Sequence, residues 1–570
     1  MNIQQLIQQS YQALQQGQAR EALKRIKHVL QQAPNDINAL HVAALACQAG
    51  GDVDGAIRYY EKSLLAEFNQ PQLIQNFTNF LLGIAGYDRL ISVMERAVQR
   101  WPGQYKYYIY LGISLKELKR FEEAVAAYDQ ALRIKPGDTV ALHNKGVALR
   151  MYQHPNEALE CYQQIKEGDK IAELRLNRGC AYADLLELEK SETEFLQAIQ
   201  LNPALTDAHE NLNKLYWEIG EKDKVMQSYT AAGLTQADSE QMRLSYIGLL
   251  SHIGEEDQAK RSLKEAQQKF GDLPSFQYVE ASLCAADGDY LKAKHTLQKA
   301  VDSMPHEAAF HLDMAKYNIY LEEYEKALGH LDQVENITPD DQTLWAYRGI
   351  CWKLLGDARH DWLNNYDLLV RDMLLPVPEG YDDRAHFIRV LADQIATFHK
   401  TKHHPLDQSL RHGTQSSFFL LGHESQVIQD LKKSLTQAVA EYLAPLPADG
   451  KHPFLRRVPA DRGFTFSGSW SVRLKSEGFH VNHMHPEGWL SGPSYIEVPD
   501  VISPNDPARG GWVKFGETGL NLGDDKEEVA KAVCPQAGHV VFFPSYIWHG
   551  TYPFESEEMR TTAPIDVMPA

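Results

Sequence analysis

The chain has 570 residues and a formal net charge of −19, with 44% hydrophobic and 23% charged residues. A chain of this length exceeds what one hydrophobic core normally supports, so at least two domains are expected. Its acidity argues against nucleic acid or an anionic membrane as the main partner. No apolar run is long enough to span a membrane, the first residues lack the pattern of a secretory leader, and the six cysteines lack paired spacing. We therefore expect a cytoplasmic protein with reduced cysteines.

A repeat governs the first two thirds of the chain. Small or apolar residues recur at steps of 34 residues, with one step of 33, and prolines such as Pro102 and Pro136 follow the same period. Such a period is typical of stacked helix pairs, in which proline ends the second helix. We predict about ten units before residue 340 and a degenerate eleventh over residues 342–366. The recurring positions are Ala22, Ala56, Leu90, Ala124, Ala158, Ser191, Val225, Ala259, Ala293 and Ala327.

The clearest unit, residues 105–138, carries Tyr108, Leu111, Gly112, Leu115, Ala124, Tyr128, Ala131 and Pro136 at helical spacings. With these residues it resembles the tetratricopeptide repeat. Gly112 and Ala124 are expected to let the paired helices approach closely, and packing is expected to be less regular where Leu90, Ser191 or Val225 replaces the small residue. The resemblance implies a groove that captures a protein or peptide. A spacer and a dimerisation surface are the alternatives, so the oligomeric state stays open and includes a homodimer.

The period stops after residue 370, and the turn-rich segment 374–380 indicates a boundary. Helices are predicted over 384–400 and 424–443, on the outside of a sheet. The histidine-rich and basic segments 399–404 and 411–415 between them are interpreted as solvated loops without chemistry. Short β segments then predict a barrel or jelly roll; they cover residues 464–466, 470–474, 494–498, 512–515, 539–543 and 561–567.

Two separate segments of this β region contain the residues of a candidate metal site. Gly478–Gly488 reads GFHVNHMHPEG, and His549 follows in the segment PSYIWHG. Ligands separated by one residue share one face of a strand, so His483 and His485 are expected to act together with His549. His480 would then point to the opposite face. The alternative pair is His485 with Glu487, which is less favoured because the neighbouring proline and glycine indicate that the strand has already turned.

These motifs occur in order with WSVRL, GWVKFGE, the segment GHVVFFPSYIWHGT and Arg560. Residues 405–570 thereby resemble the bacterial 2-oxoglutarate/Fe(II)-dependent oxygenases that carry tetratricopeptide repeats. The resemblance implies a double-stranded β-helix that holds Fe(II) at its mouth and consumes 2-oxoglutarate and O2. It also implies that Arg560 pairs with the distal carboxylate of 2-oxoglutarate, for which Thr562 and Tyr495 are further candidates and Arg473 is a competitor.

The predicted chain is thus a multidomain α + β protein. Residues 1–370 form an all-α tetratricopeptide superhelix, and residues 371–570 form the oxygenase domain, with a helical lead-in over 380–445 and a β core over 460–570. The predicted activity is hydroxylation of a protein or peptide side chain that the repeats capture. The alternatives are a hydroxylase of a small metabolite or glycan whose repeats serve assembly, and a non-catalytic adaptor. A zinc hydrolase is more remote because it does not need the arginine.

Overall fold

The computed structural model describes residues 2–406, 408–459 and 463–569. Contacts within the chain divide it into two compact units, Met1–Lys166 and Glu167–Ala570. Helical repeats fill the first unit and begin the second, and antiparallel β-sheets follow them. This order confirms the predicted fold class. None of the described helices is both long and apolar enough to cross a lipid bilayer.

The first unit consists of five consecutive helix pairs. In the first four pairs, the first helix has 13 residues and the second has 14, which explains the constant period of the sequence. Aspartates such as Asp36 and Asp138 begin helices by accepting a hydrogen bond from a backbone N–H three residues later. The helices are α1 (Ile3–Gln15), α2 (Ala19–Gln32), α3 (Ile37–Ala49), α4 (Val53–Ala66), α5 (Pro71–Gly83), α6 (Tyr87–Arg100), α7 (Tyr105–Glu117), α8 (Phe121–Ile134), α9 (Thr139–Met151) and α10 (Pro155–Gln163).

Close contact between paired helices depends on glycine. A Cβ atom added to Gly112 on α7 would lie 2.6 Å from the ring of Tyr128 on α8, and one added to Gly146 on α9 would lie 2.3 Å from the ring of Tyr162 on α10. Ala124 is fully buried at the same helix crossing. These contacts agree with the role predicted for Gly112 and Ala124.

The second unit continues the repeats. Its helices are α11 (Ala172–Asp184), α12 (Leu188–Leu201), α13 (Thr206–Ile219), α14 (Leu234–Gln236), α15 (Glu240–His252), α16 (Glu256–Phe270), α17 (Pro274–Ala286), α18 (Tyr290–Ser303), α19 (Ala308–Tyr320), α20 (Tyr324–Ile337), α21 (Gln342–Leu354) and α22 (Arg359–Leu363). The last pair is degenerate, as predicted, because α22 has only five residues.

Repeat irregularity occurs at one of the three predicted positions. Around Val225, a short 3-10 turn at Lys222–Lys224 and a π-helical stretch at Tyr229–Gly233 stand in place of a regular second helix. The prediction was wrong at Leu90 and Ser191, since α6 and α12 keep their full 14 residues. Both side chains are fully buried, and the Ser191 hydroxyl is satisfied by a carbonyl of the preceding helix at 2.9 Å.

The rest of the second unit contains helices α23 (Tyr366–Leu369), α24 (Arg384–Ala396) and α25 (Gln426–Leu443) and two antiparallel sheets. The strands are β1 (Arg371–Leu374), β2 (Leu410–Gln415), β3 (Phe464–Ser469), β4 (Val472–His480), β5 (Leu490–Glu497), β6 (Val513–Phe515), β7 (Lys531–Val533), β8 (His539–Pro544), β9 (His549–Thr551) and β10 (Arg560–Pro569). The seven-stranded sheet has the order β1-β8-β5-β10-β4-β2, with β3 also on β10, and the three-stranded sheet has the order β7-β6-β9. This arrangement is consistent with a jelly roll.

The interpretation of residues 411–415 as a solvated loop was wrong. They belong to β2, which pairs with β4 and buries Leu410, Gly413 and Thr414. His399 is also largely enclosed, and its ring nitrogens lie 2.7 Å from the Thr414 hydroxyl and 3.0 Å from the Ser471 hydroxyl. The polar residues of these segments suggested exposure to solvent. Hydroxyl groups within the fold instead satisfy the polar atoms of His399.

One hydrophobic core joins the last repeats to the β-sheets. It includes Leu344 and Ile350 on α21, Leu435 on α25, Phe542 on β8 and Val567 on β10, all at most 6% exposed. The predicted domain boundary at residue 370 therefore lies within a continuous core, although β1 does begin at Arg371. That boundary stays a prediction.

Candidate active site

The three predicted histidine ligands lie together although they are not on one strand. His480 ends β4, and the following loop carries His483 and His485. The backbones of His483 and His549 exchange two hydrogen bonds of 2.8 and 2.9 Å, and the N–H of His485 donates to the Ser545 carbonyl at 2.9 Å. These backbone contacts, rather than strand alternation, bring the loop against the start of β9.

The imidazole rings are close enough to share one ion. Their centroids are 4.2 Å apart for His483 and His549, 5.0 Å for His485 and His549, and 5.2 Å for His483 and His485. One ring nitrogen from each residue lies within 4.8 Å of the other two. This spacing suits a metal ion with imidazole ligands.

Hydrogen bonds orient all three rings in the same sense. The Nδ1–H of His483 and that of His549 each donate to the backbone carbonyl two residues earlier, at 2.8 and 3.0 Å. His485 Nδ1 lies 2.6 Å from a carboxylate oxygen of Asp566. The Nε2 atoms are thus left as ligands, and those of His483 and His485 are 3.3 Å apart. Two lone pairs at this distance repel each other unless a cation or a proton lies between them.

Burial keeps two of these rings neutral. It lowers the pKa of His483 to about 3, and the neighbouring His485 acts in the same direction. Burial also holds the pKa of His549 well below its ordinary value, again with help from the adjacent imidazoles. A neutral imidazole is the form that ligates a metal.

Glu487, the alternative ligand, lies outside this group. It is exposed, and its charge raises the pKa of Asp341 at the start of α21, although burial of Asp341 has the larger effect. Glu487 is therefore close enough to the start of α21 to affect Asp341 electrostatically. Among the described residues, the group of ligand atoms within 4.8 Å comprises His483, His485 and His549.

A second cluster of predicted site residues lies on β10 and β5. Thr562 pairs with Tyr495 across the two strands, and Arg560 alternates with Thr562 on the same face of β10. All three are at most 2% exposed. The Arg560 guanidinium carbon lies 5.2 Å from the centre of the Tyr495 ring.

Two donors in this cluster are unsatisfied. Arg560 Nε and the Tyr495 hydroxyl are buried and have no hydrogen-bond partner among the described residues. Burial lowers the pKa of Arg560, an effect that the neighbouring Tyr495 opposes. A buried cation with unmet donors fits an anionic ligand such as a carboxylate.

Arg473 does not share this environment. It pairs with Thr561 in the sheet, so it lies on the opposite face from Arg560. Its guanidinium contacts the Thr561 hydroxyl at 3.3 Å and the Glu497 carboxylate at 3.6 Å. The charge of Arg473 is therefore already paired.

The expectation that His480 points away from the site was wrong. Its ring stacks on that of His483 at 5.8 Å, and the Ser409 hydroxyl lies 3.0 Å from His480 Nδ1 and 3.3 Å from His483 Nε2. Burial holds the pKa of His480 well below its ordinary value, and the neighbouring His483 and Arg560 act in the same direction. His480 thus lies beside both the imidazole group and Arg560. The prediction assumed that side chains alternate between two faces from His480 to His485. It failed because the chain leaves the extended conformation after His480.

Helix α21 of the last repeat backs the site. Met484, between two of the histidines, contacts the Thr343 hydroxyl through its sulfur at 4.0 Å. Trp548, next to His549, stacks on Tyr347 with a centroid distance of 6.4 Å. Both halves of the histidine group therefore pack on one repeat helix.

Comparisons with known proteins agree with this arrangement. Residues 468–566 match the model of a family described as "Putative 2OG-Fe(II) oxygenase", and residues 105–138 and 172–205 match models of the tetratricopeptide repeat. A comparison with curated proteins finds no match.

Among known structures, the chain is similar to yeast Tom70, at 11% identity over 59% of this chain and 92% of that one, with a TM-score of 0.35. It is also similar to the structure titled "Functional Characterization of Pseudomonas Aeruginosa pilF", at 18% identity over 36% of this chain and 95% of that one, with a TM-score of 0.29. Similarities at these scores carry no functional weight. The matched family models alone support the conclusion that the chain carries tetratricopeptide repeats followed by a domain that matches the 2-oxoglutarate/Fe(II) oxygenase family.

Proposed function

We propose that the protein is a 2-oxoglutarate- and Fe(II)-dependent oxygenase that hydroxylates a protein or peptide side chain. The observation that carries this proposal is the combination of three close imidazoles with a buried, incompletely bonded arginine in the same β domain. A structural histidine cluster would not need the arginine. A zinc hydrolase would not need it either.

In this proposal, His483, His485 and His549 hold Fe(II), and the alternative ligand Glu487 does not, because it lies outside their group. Arg560 and Tyr495 donate to the distal carboxylate of 2-oxoglutarate, and Thr562 adds a hydroxyl. The bound iron, 2-oxoglutarate and O2 supply an oxidation in which 2-oxoglutarate becomes succinate and CO2 and one oxygen atom enters a C–H bond of the substrate.

The side chains around the histidines keep water away from this chemistry. The Phe543 ring lies 4.5 Å from that of His549, and Phe515 lies 6.3 Å from it. Both phenylalanines are fully buried. A dry wall beside the metal protects a reactive centre from side reactions.

Two features support a protein or peptide substrate over a small metabolite or glycan. Tetratricopeptide repeats are typical protein-binding modules. In addition, α21 contacts Met484 and Trp548, so a repeat helix forms part of the wall behind the histidines. A bacterial source, a cytoplasmic location and the oligomeric state stay predictions.

The first test is an anaerobic titration of 2-oxoglutarate into the Fe(II)-loaded protein. A visible charge-transfer band should appear, and succinate should form when O2 is admitted. His549→Ala should abolish both results, whereas Glu487→Ala, at an exposed position, should retain them. If the wild type shows no band despite confirmed iron loading, the proposal fails.

The substrate is tested separately with 18O2. The active protein is added to a cell extract, and mass spectrometry identifies peptides that gain one labelled oxygen atom only when 2-oxoglutarate is present. Labelled peptides would support a protein substrate. Labelled small molecules without labelled peptides would favour the metabolite alternative.

A further inference from the structure

Asp566 on β10 lies directly behind one of the three histidines. Its side chain is buried, with the residue 7% exposed. One carboxylate oxygen, Oδ1, lies 2.6 Å from His485 Nδ1 and also accepts a hydrogen bond from the Ser491 hydroxyl at 2.6 Å. No lysine or arginine among the described residues forms an ion pair with this carboxylate, and the side chain of opposite or potential positive charge nearest to it is the His485 ring.

The network around Asp566 is tightly packed. The Ser491 hydroxyl is 2.8 Å from that of Ser545, whose carbonyl accepts from the backbone N–H of His485. A Cβ atom on Gly488 would lie 2.4 Å from the Ser545 hydroxyl oxygen and 3.2 Å from the Asp566 carboxylate. Only glycine at this position lets the histidine loop lie so close to the carboxylate.

The other two ligand histidines have no such carboxylate. The Nδ1–H groups of His483 and His549 donate to backbone carbonyls, which are neutral acceptors. A buried carboxylate costs free energy unless a positive charge compensates it. Among the described residues, a compensating charge at Asp566 would be reached through the His485 ring, at the Nε2 side that faces the other two histidines.

We propose that Asp566 is a positioning residue for the metal. Through His485, Asp566 supplies the negative charge that a directly bound carboxylate supplies in a centre with two histidines and one carboxylate. This inference rests on the proposed iron site and deepens it. Asp566 holds the His485 ring with Nε2 toward the ion and makes that nitrogen a stronger donor. The carboxylate missing from the ligand group is thus present one residue further from the metal.

A structural alternative makes the opposite prediction. If His485 carries protons on both nitrogens, it forms an ion pair with Asp566 and donates from Nε2 to His483, 3.3 Å away. Asp566 would then stabilise the form of His485 that cannot bind a metal. Removing the carboxylate would leave metal affinity unchanged or increase it.

The test uses the full-length protein and Co(II), whose visible absorption reports binding without turnover. Asp566→Asn keeps the size of the side chain and removes its charge. We expect a Kd for Co(II) about 10- to 100-fold higher than that of the wild type, with an unchanged melting temperature of the metal-free protein. Ser491→Ala, which removes one donor to the carboxylate, should raise the Kd by a smaller factor.

Asp372→Asn is the matched control. Asp372 lies in the same sheet and pairs with His539 at 3.0 Å, on β1 and β8, outside the histidine group. It should bind Co(II) as the wild type does. An Asp566→Asn affinity equal to or higher than that of the wild type would overturn the inference. Complete loss of Co(II) binding by a folded variant would also overturn it, because Asp566 would then be a ligand itself.

These outcomes are separate from those that test the oxygenase function. If wild-type protein binds Co(II) but never forms a complex with 2-oxoglutarate, the proposed function fails while the role of Asp566 can still be measured. If 2-oxoglutarate turnover is established and Asp566→Asn binds Co(II) normally, only the role of Asp566 fails.

Discussion

Replacing Arg560 by methionine tests whether this residue binds the distal carboxylate of 2-oxoglutarate. The guanidinium is buried, its Nε has no partner among the described residues, and the Tyr495 hydroxyl beside it is equally unsatisfied. Methionine keeps much of the side-chain length and removes every donor. We therefore expect weaker binding of 2-oxoglutarate with little loss of stability, since the substitution also removes an unpaired buried charge.

The size of the effect follows from the hydrogen bonds that would be lost. Charge-assisted hydrogen bonds contribute about 1.5–3 kcal/mol each. A guanidinium that makes two of them to a carboxylate would contribute about 3 kcal/mol at the low end of this range, with Tyr495 still in place to retain part of the binding. A loss of about 3 kcal/mol corresponds to a roughly 100-fold higher Kd for 2-oxoglutarate.

The assay is anaerobic titration of the Fe(II)-loaded protein with 2-oxoglutarate and, separately, with 2-oxopentanoate, which lacks the distal carboxylate. The wild type and Arg560→Met should bind 2-oxopentanoate with similar affinity, because Arg560 has no partner on that ligand. Arg473→Met is the control, since Arg473 lies on the opposite face of the sheet and already contacts Glu497. If Arg560→Met binds 2-oxoglutarate within about threefold of the wild type, or if Arg473→Met shows the larger loss, the assignment of the carboxylate site is wrong.

Three further predictions concern stability and domain structure. Gly112→Ala places a Cβ atom 2.6 Å from the Tyr128 ring and should destabilise the repeats by about 1–3 kcal/mol in urea unfolding, whereas Gly83→Ala, with no atom within 4 Å, should be neutral or stabilising. Burial lowers the pKa of His399 to about 4, so the unfolded chain takes up a proton first as the pH falls below about 6.5. As the pH falls from 6.5 to 4, the free energy of unfolding of the wild type should therefore decrease by up to about 3 kcal/mol relative to that of His399→Gln. Thermal unfolding of the two proteins that shows no such difference in pH dependence would contradict this. A chain of residues 167–570 should fold and bind Co(II), whereas a chain of residues 371–570 should not, because it lacks the helices that complete the core. Circular dichroism measures folding, and Co(II) absorption measures metal binding. A folded 371–570 chain would support the predicted domain boundary.

The repeats could be predicted from the sequence because their packing is local. Close approaches in three units join residues 16 positions apart: Gly112 with Tyr128, Gly146 with Tyr162 and Gly179 with Phe195. The break after α13 was also signalled, by Val225 at the position of the small residue. The strands β1, β2, β7 and β9 could not be predicted in this way, because none has a run of β-branched or aromatic residues. β1 and β2 also pair with strands far away in sequence.

The candidate ligands could be read from the sequence, but their surroundings could not. Asp566 is 81 residues from His485, and only the pairing of β10 with β5 places it beside that ring and beside Ser491. The sequence did contain a weaker indication of this position. Asp566 lies six residues after Arg560 on the same strand, so both side chains are on one face of β10. The prediction for His480 was wrong because it applied strand alternation beyond the end of β4, to a segment that is not a strand.

The last repeat belongs to the surroundings of the site because it contacts the chain neighbours of the histidines. Met484 lies between His483 and His485, and Trp548 precedes His549. Both side chains contact α21, at Thr343 and Tyr347. Any displacement of α21 therefore acts on the two backbone segments that carry the ligands. For this reason a repeat helix and the histidine group belong to one packed structural element, and we expect a displacement of α21 to change the spacing of the proposed metal ligands.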